Sequence, residues 1–146
     1  MKRSVYHLRQ YLEHPWRFQR QIVHHDTGQL VHIHGTVLWQ DISEPNAAPM
    51  LCCRETGVIQ LANYTGKATQ MYGYTFKSDV HAEVSFSDGR FFYNLNLTTS
   101  HCKIQHLCGD DTYDGVVDAI TDTTYQQIWR VIGLRKDYTS HTTFSR

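Results

Sequence analysis

Apolar and polar residues alternate along most of this chain. "WRFQRQIV" sets Trp16, Phe18, Arg20 and Ile22 on one face and Arg17, Gln19 and Gln21 on the other. "VHIHGTVLW" sets Val31, Ile33, Gly35, Val37 and Trp39 on one face, with His32, His34 and Thr36 opposite. Successive side chains of a strand point to opposite faces, so a period of two predicts half-buried strands. The same reading predicts strands over 50–60, 67–77, 80–87, 90–97, 100–108, 113–120, 125–132 and 137–145. The segments between them carry turn chemistry, and Asp88-Gly89 is the strongest hairpin signal. The first hairpin turns through Asp26-Thr27-Gly28-Gln29. A two-residue loop at Thr27-Gly28 keeps both apolar faces on one side of the sheet. A three-residue loop would turn one whole apolar row outward, so the shorter loop is expected. Only the start departs from alternation. Val5, Leu8, Tyr11 and Leu12 recur at three and four, which predicts a helix over about 4–14, with Ser4 as N-cap and Pro15 as its stop.

About ten short strands at regular spacing argue for an all-β fold, an antiparallel up-and-down meander closing into a barrel. One domain over 1–146 is expected, with the barrel over about 16–145 and the helix at one end, the floor. Alternate turns of a meander share an end. The turns at 26–29, 61–66, 88–89, 109–112 and 133–136 therefore gather at the opposite end, the mouth. A barrel of this strand number can hold one small ligand.

Charge narrows the partners. Fourteen basic residues balance fourteen acidic ones, with no basic run. That argues against nucleic acid and anionic membrane surfaces as partners. No apolar stretch is long enough to cross a bilayer as a helix. The charged start lacks the apolar stretch and cleavage site of a signal peptide, so a cytoplasmic location is expected. Cys52, Cys53, Cys102 and Cys108 include no CxxC pair and read as free thiols. A homodimer is compatible with a small domain of this kind.

The chemistry-bearing residues concentrate in "HLCGDDTYDG". Alternation puts Cys102, Ile104, His106 and Cys108 on one face, with His106 inward near the mouth. Asp111 and Tyr113 follow the turn and could reach it. A His106–Asp111 hydrogen bond would set the imidazole tautomer, making His106, Asp111 and Tyr113 candidate acid–base groups. The plainer reading makes Asp110 and Asp111 turn residues and Tyr113 a core aromatic. Arg20 lies on an apolar face, as does Glu55 with Leu51 and Cys53. Buried ions need partners, so either the two pair internally or Arg20 holds a ligand carboxylate. Arg135 and Lys136 form a charged turn or an anion clamp over the mouth. Arg130 should face solvent if Trp129 faces inward. No Gly-x-Ser-x-Gly elbow or phosphate-cradling loop is present.

"HLCGDDTYDG" and "WRVIGLRKDY" resemble the H-x-C-x-x-D-x-Y and W-x-V-x-G-P-R-K-D-Y signatures of a small bacterial and fungal family, a domain of unknown function. The matches are His106, Cys108, Asp111 and Tyr113, then Trp129, Val131, Gly133, Arg135, Lys136, Asp137 and Tyr138. Leu134 stands where that pattern has proline, Cys53 where an aromatic is usual and Gln70 where arginine is usual. The resemblance implies a lipocalin-like or fatty-acid-binding-like barrel and directs attention to the mouth. It implies no activity. In such barrels a tryptophan plugs the floor beneath an arginine of the last strand, which would cast Trp16 and Arg146 in those parts.

The function expected from these residues is noncovalent binding of a small, partly apolar or anionic molecule inside the barrel. Arg20, Glu55, Tyr72, His106, Cys108, Tyr113, Trp129, Arg135 and Lys136 are the candidate ligand-binding residues, with Phe86 as a further wall. The alternatives are an enzyme working in the same pocket and a scaffold whose barrel is filled by its own side chains. No cofactor and no metal site is expected. Haem over His106 or His24, and a metal at His106, Cys108 and Asp111, stand as further alternatives.

Overall fold

The computed structural model describes residues 2–146. One helix, α1 (Leu8–Leu12), precedes ten strands: β1 (Trp16–His24), β2 (Leu30–Asp41), β3 (Met50–Leu61), β4 (Tyr64–Phe76), β5 (Ala82–Phe86), β6 (Phe91–Leu95), β7 (His101–Cys108), β8 (Asp111–Thr121), β9 (Thr124–Ile132) and β10 (Asp137–Ser145). All ten form one sheet in the order β6-β5-β4-β3-β2-β1-β10-β9-β8-β7. Every pair of neighbours is antiparallel, and β1 bonds to β10, so first and last strands zip the meander into a nearly closed barrel. The seam lies between β6 and β7, which share no ladder.

The helix is shorter than the expected 4–14, spanning one and a half turns. Ser4 does not cap it; the N-cap is His7, whose side chain makes no capping bond. The residues before it run instead as a strap across the floor. There the Arg3 and Val5 amides donate to the carbonyls of Ala119 and Leu97, each at 2.9 Å. Tertiary bonds satisfy backbone groups that a longer helix would have satisfied itself. Leu8, Leu12 and Trp16 are fully buried beneath the barrel, each worth roughly 1.5–3 kcal/mol of apolar burial. The Trp16 indole donates to the Leu12 carbonyl at 2.7 Å, and the Arg146 guanidinium lies 5.2 Å from its ring centre. The floor plug is the one expected for Trp16 and Arg146.

The first hairpin keeps its apolar rows together, since Ile22 sits opposite Val31 and Trp16 opposite Val37. The loop has four residues, 25–28, not two. Its closing bonds run from the His24 amide to the Gln29 carbonyl and from the Gly28 amide to the His24 carbonyl. Gly28 has φ +72°, which glycine tolerates without a Cβ penalty. Two and four have the same parity, so the facing survives the change in length. Strand β8 starts at Asp111, two residues earlier than expected, which leaves Gly109 and Asp110 as the turn.

Candidate functional site

The barrel interior divides into a filled lower half and a hollow upper half. Below, Trp16, Phe18, Leu51, Tyr74, Tyr93, Tyr125 and Phe144 are buried against one another. Above, many inward positions carry little or no side chain. Gly35 faces Gly57, Gly57 faces Ala68, and Ile59 faces Gly66 across β2, β3 and β4. On the far side, Gly115 and Ser140 both sit opposite Trp129. The upper half holds a cavity of about 440 Å³, partly open to solvent, within the size range of small-molecule sites, with Ala68 and Ser140 among its lining residues. The filled-barrel alternative describes the lower half only.

The base of the cavity is an ion pair. Arg20 donates to both oxygens of Glu55, Nη1 to Oε1 at 3.0 Å and Nη2 to Oε2 at 3.1 Å. Its Nε donates to the Thr142 hydroxyl at 2.7 Å. Glu55 is buried and Arg20 nearly so, and both line the cavity. Burial by itself disfavours the guanidinium charge, but the Glu55 carboxylate outweighs it and the Arg20 pKa is raised. The internal-pair reading of Arg20 is thus the one realised: the carboxylate it holds belongs to the protein.

One wall is aromatic. Phe92 stacks on Phe86 (4.3 Å between centroids, 17°), on Trp129 (4.9 Å, 24°) and, more distantly, on Tyr72 (6.2 Å, 28°). Ile22, Ile33, Ala68 and Val131 line other parts. Between these surfaces lie the hydroxyls of Tyr72, Tyr138 and Ser140 and the amide of Gln70, none hydrogen-bonded to another described residue. Burial raises the pKa of both the Tyr72 and Tyr138 phenols, so they remain protonated donors at neutral pH. Gln70 sits opposite Glu55 on β4.

The lip differs from the sequence expectation. Asp111 does not reach His106. Its carboxylate pairs with Lys136 Nζ at 3.0 Å, and the same ammonium donates to the Tyr113 hydroxyl at 2.8 Å. These bonds, Tyr113 first, raise the Lys136 pKa well above its ordinary value. Asp111 opens β8 beside the 133–136 turn, and it packs against Gly133, where a Cβ would meet the carboxylate. The neighbouring hairpin therefore takes the acid, and the His–Asp dyad is not formed. His106 sits opposite Tyr113, as the alternation implies, but its ring packs edge-on against Phe86, Phe92 and Tyr113 and makes no hydrogen bond among the described residues. Cys108 lies at the lip, 3.9 Å from Arg90 Nη1. The Lys136 half of the anion clamp is occupied by Asp111, and Arg135 is exposed on the turn. Arg130 points outward from Trp129 and binds Asp137 and two backbone carbonyls.

Of the candidate ligand-binding residues, Arg20, Glu55, Tyr72, Tyr113 and Trp129 line the cavity, as do Phe86 and His24. His106, Cys108, Arg135 and Lys136 do not. Among the described residues no three His, Cys, Asp or Glu side chains group as metal ligands. Sequence reasoning missed Phe92 because a bulge between Val84 and Ser85 breaks the register of β6, so that Phe92 and Tyr93 are both buried. It also missed Tyr138, Ser140 and Thr142. Their alternation on β10 was the available signal, but a polar row reads as an outer face.

A ten-stranded up-and-down barrel, plugged at one end and hollow at the other, resembles the lipocalin-like, calycin-type folds. Within that architecture the chain belongs to DUF6314, a family of unknown function whose model matches residues 12–146. Among solved structures it is similar to the S-type phycobiliprotein lyase CPES from Guillardia theta, with a TM-score of 0.69 at 10% identity over 95% of this chain and 90% of that one. A de novo designed fluorescence-activating β-barrel gives 0.48 at 15% identity over 96% and 97%. A protein of unknown function from the DUF3598 family of Nostoc punctiforme PCC 73102 gives 0.49 at 11% over 99% and 50%. At such identities the likeness is one of fold. No curated protein matches the chain. No helix among the described residues is long and apolar enough to cross a membrane.

Proposed function

We propose that this protein binds a small, partly apolar molecule noncovalently in the upper half of its barrel. The observation that carries the reading is the cavity of about 440 Å³, with a stacked aromatic wall and hydroxyl and amide groups left without protein partners. These groups are reached by solvent within the cavity, so a ligand that enters can bond them in exchange for water. The likeness in fold to a phycobiliprotein lyase is in keeping with a barrel that handles a small molecule. An enzyme built on His106, Asp111 and Tyr113 has less support, because the acid is held by Lys136 and the imidazole lacks a polar partner. Haem ligation by His106 is likewise disfavoured, since that ring stands outside the cavity lining.

Native mass spectrometry of the purified protein tests the reading. A retained small molecule, absent from an Ala68→Phe variant that fills the cavity, is the expected result. A ligand-free wild type that also fails to bind flat fluorescent probes would overturn it.

A further inference from the structure

The base and lip of the cavity share one electrostatic feature. The cation at the base and two of those at the lip are each matched by a carboxylate of the protein. Arg20 is held by Glu55, Lys136 by Asp111 and Arg90 by Asp88. Arg20 and Glu55 are the only Asp, Glu, Lys or Arg side chains among the residues lining the cavity, so their charges cancel there. Arg135 stands exposed on its turn. An anion entering the cavity would approach Arg20 only by also approaching Glu55, whose charge offsets the attraction. What Arg20 has left is directional. Three of its five N–H donors are used, on Thr142 and on the two Glu55 oxygens, so two remain for a neutral acceptor such as a carbonyl. The near-parallel rings of Phe86, Phe92 and Trp129 favour a flat partner, since aromatic groups prefer offset stacking to random contact.

We infer that the cavity selects uncharged, flat, conjugated molecules and discriminates against their anionic counterparts. Glu55 is then the specificity-determining residue, acting by neutralising Arg20. The inference rests on the cavity-binding reading and narrows it: fatty acids and similar carboxylates are excluded as ligands of this chain.

A matched pair of fluorescent probes tests it. N-phenyl-1-naphthylamine is neutral, and 1-anilinonaphthalene-8-sulfonate is nearly the same molecule with one negative charge. Wild type should bind the neutral probe at least tenfold more tightly, with both signals removed by Ala68→Phe. Glu55→Gln, which leaves Arg20 unneutralised, should shift the ratio of sulfonate to neutral-probe affinity at least tenfold toward the sulfonate. Arg20→Gln with Glu55→Gln should restore the wild-type preference. Equal or tighter sulfonate binding by wild type would overturn the inference, and that measurement needs no variant to fold. Silence of both probes would instead overturn the cavity-binding reading itself.

Discussion

Replacing Arg20 by methionine strands a carboxylate. Glu55 is almost wholly buried, and in wild type both its oxygens accept from Arg20. Removing one partner of a buried ion pair costs about 3–5 kcal/mol, because the survivor keeps its desolvation penalty without its compensation. The cavity above the pair admits water, which favours the lower end, about 3 kcal/mol. For a chain of this length each kcal/mol moves the melting temperature by roughly 2–4 °C, so Arg20→Met should lower it by about 10 °C. Glu55→Met should cost a similar amount by stranding the guanidinium. The two together should cost far less than their sum, near 1 kcal/mol, since an apolar pair of similar volume is often no worse than the ions it replaces. Urea unfolding at pH 7, followed by tryptophan emission, measures all four corners of the cycle. These values imply a coupling of about 5 kcal/mol between the two residues. If Arg20→Met costs under 1 kcal/mol and the two changes simply add, the pair is effectively solvated, and the account of the cavity base is wrong.

Other expectations follow from single contacts. A Cβ on Gly115 would collide with the six-membered ring of Trp129, so Gly115→Ala should cost about 1–3 kcal/mol by overpacking, and the displaced indole should shift the emission maximum; unchanged emission would contradict this seating of Trp129. Burial raises the phenol pKa of Tyr11, to about 12, and also those of Tyr72, Tyr74, Tyr93, Tyr125 and Tyr138. The unfolded chain therefore binds fewer protons than the folded one above about pH 10, and stability should fall with rising pH from there; absorbance at 295 nm should show most phenols ionising together with unfolding rather than before it. Burial alone would raise the Asp118 carboxyl, but hydrogen bonds from Lys2 and His101 outweigh it and the net shift is downward. Its contribution is present above the unfolded value of about 3.9 and is lost as pH falls through the lower folded value. Asp118→Asn should thus be less stable than wild type at pH 6, by a gap that narrows as the pH falls through the acid range; a gap that widens in acid would refute the assignment.

The parts of this molecule that follow from nearest neighbours could be read from the chain. Ten alternating segments became ten strands, because a period of two and a buried face leave one facing for each strand. The same alternation put Arg20 and Glu55 inside, and an interior charge has few options besides an interior partner. The helix extent could not be read this way. Its apolar spacing was genuine, but Val5 and Leu8 are buried by a strap bonded to the floor as well as by a helical turn.

Alternation says which face a side chain takes, not how far it must reach to the next hairpin. Only the closed sheet, with its seam between β6 and β7 and its bulge at Val84–Ser85, brought Lys136 to Asp111 and Phe92 into the aromatic wall. The hollow itself is likewise a tertiary fact. Gly35, Gly57, Ala68 and Ser140 lie on separate strands, and only the curvature of the closed sheet sets these small residues around one hollow. Facing is set by local geometry with a fixed period; enclosure depends on the sum of twists over ten strands, which no single segment records.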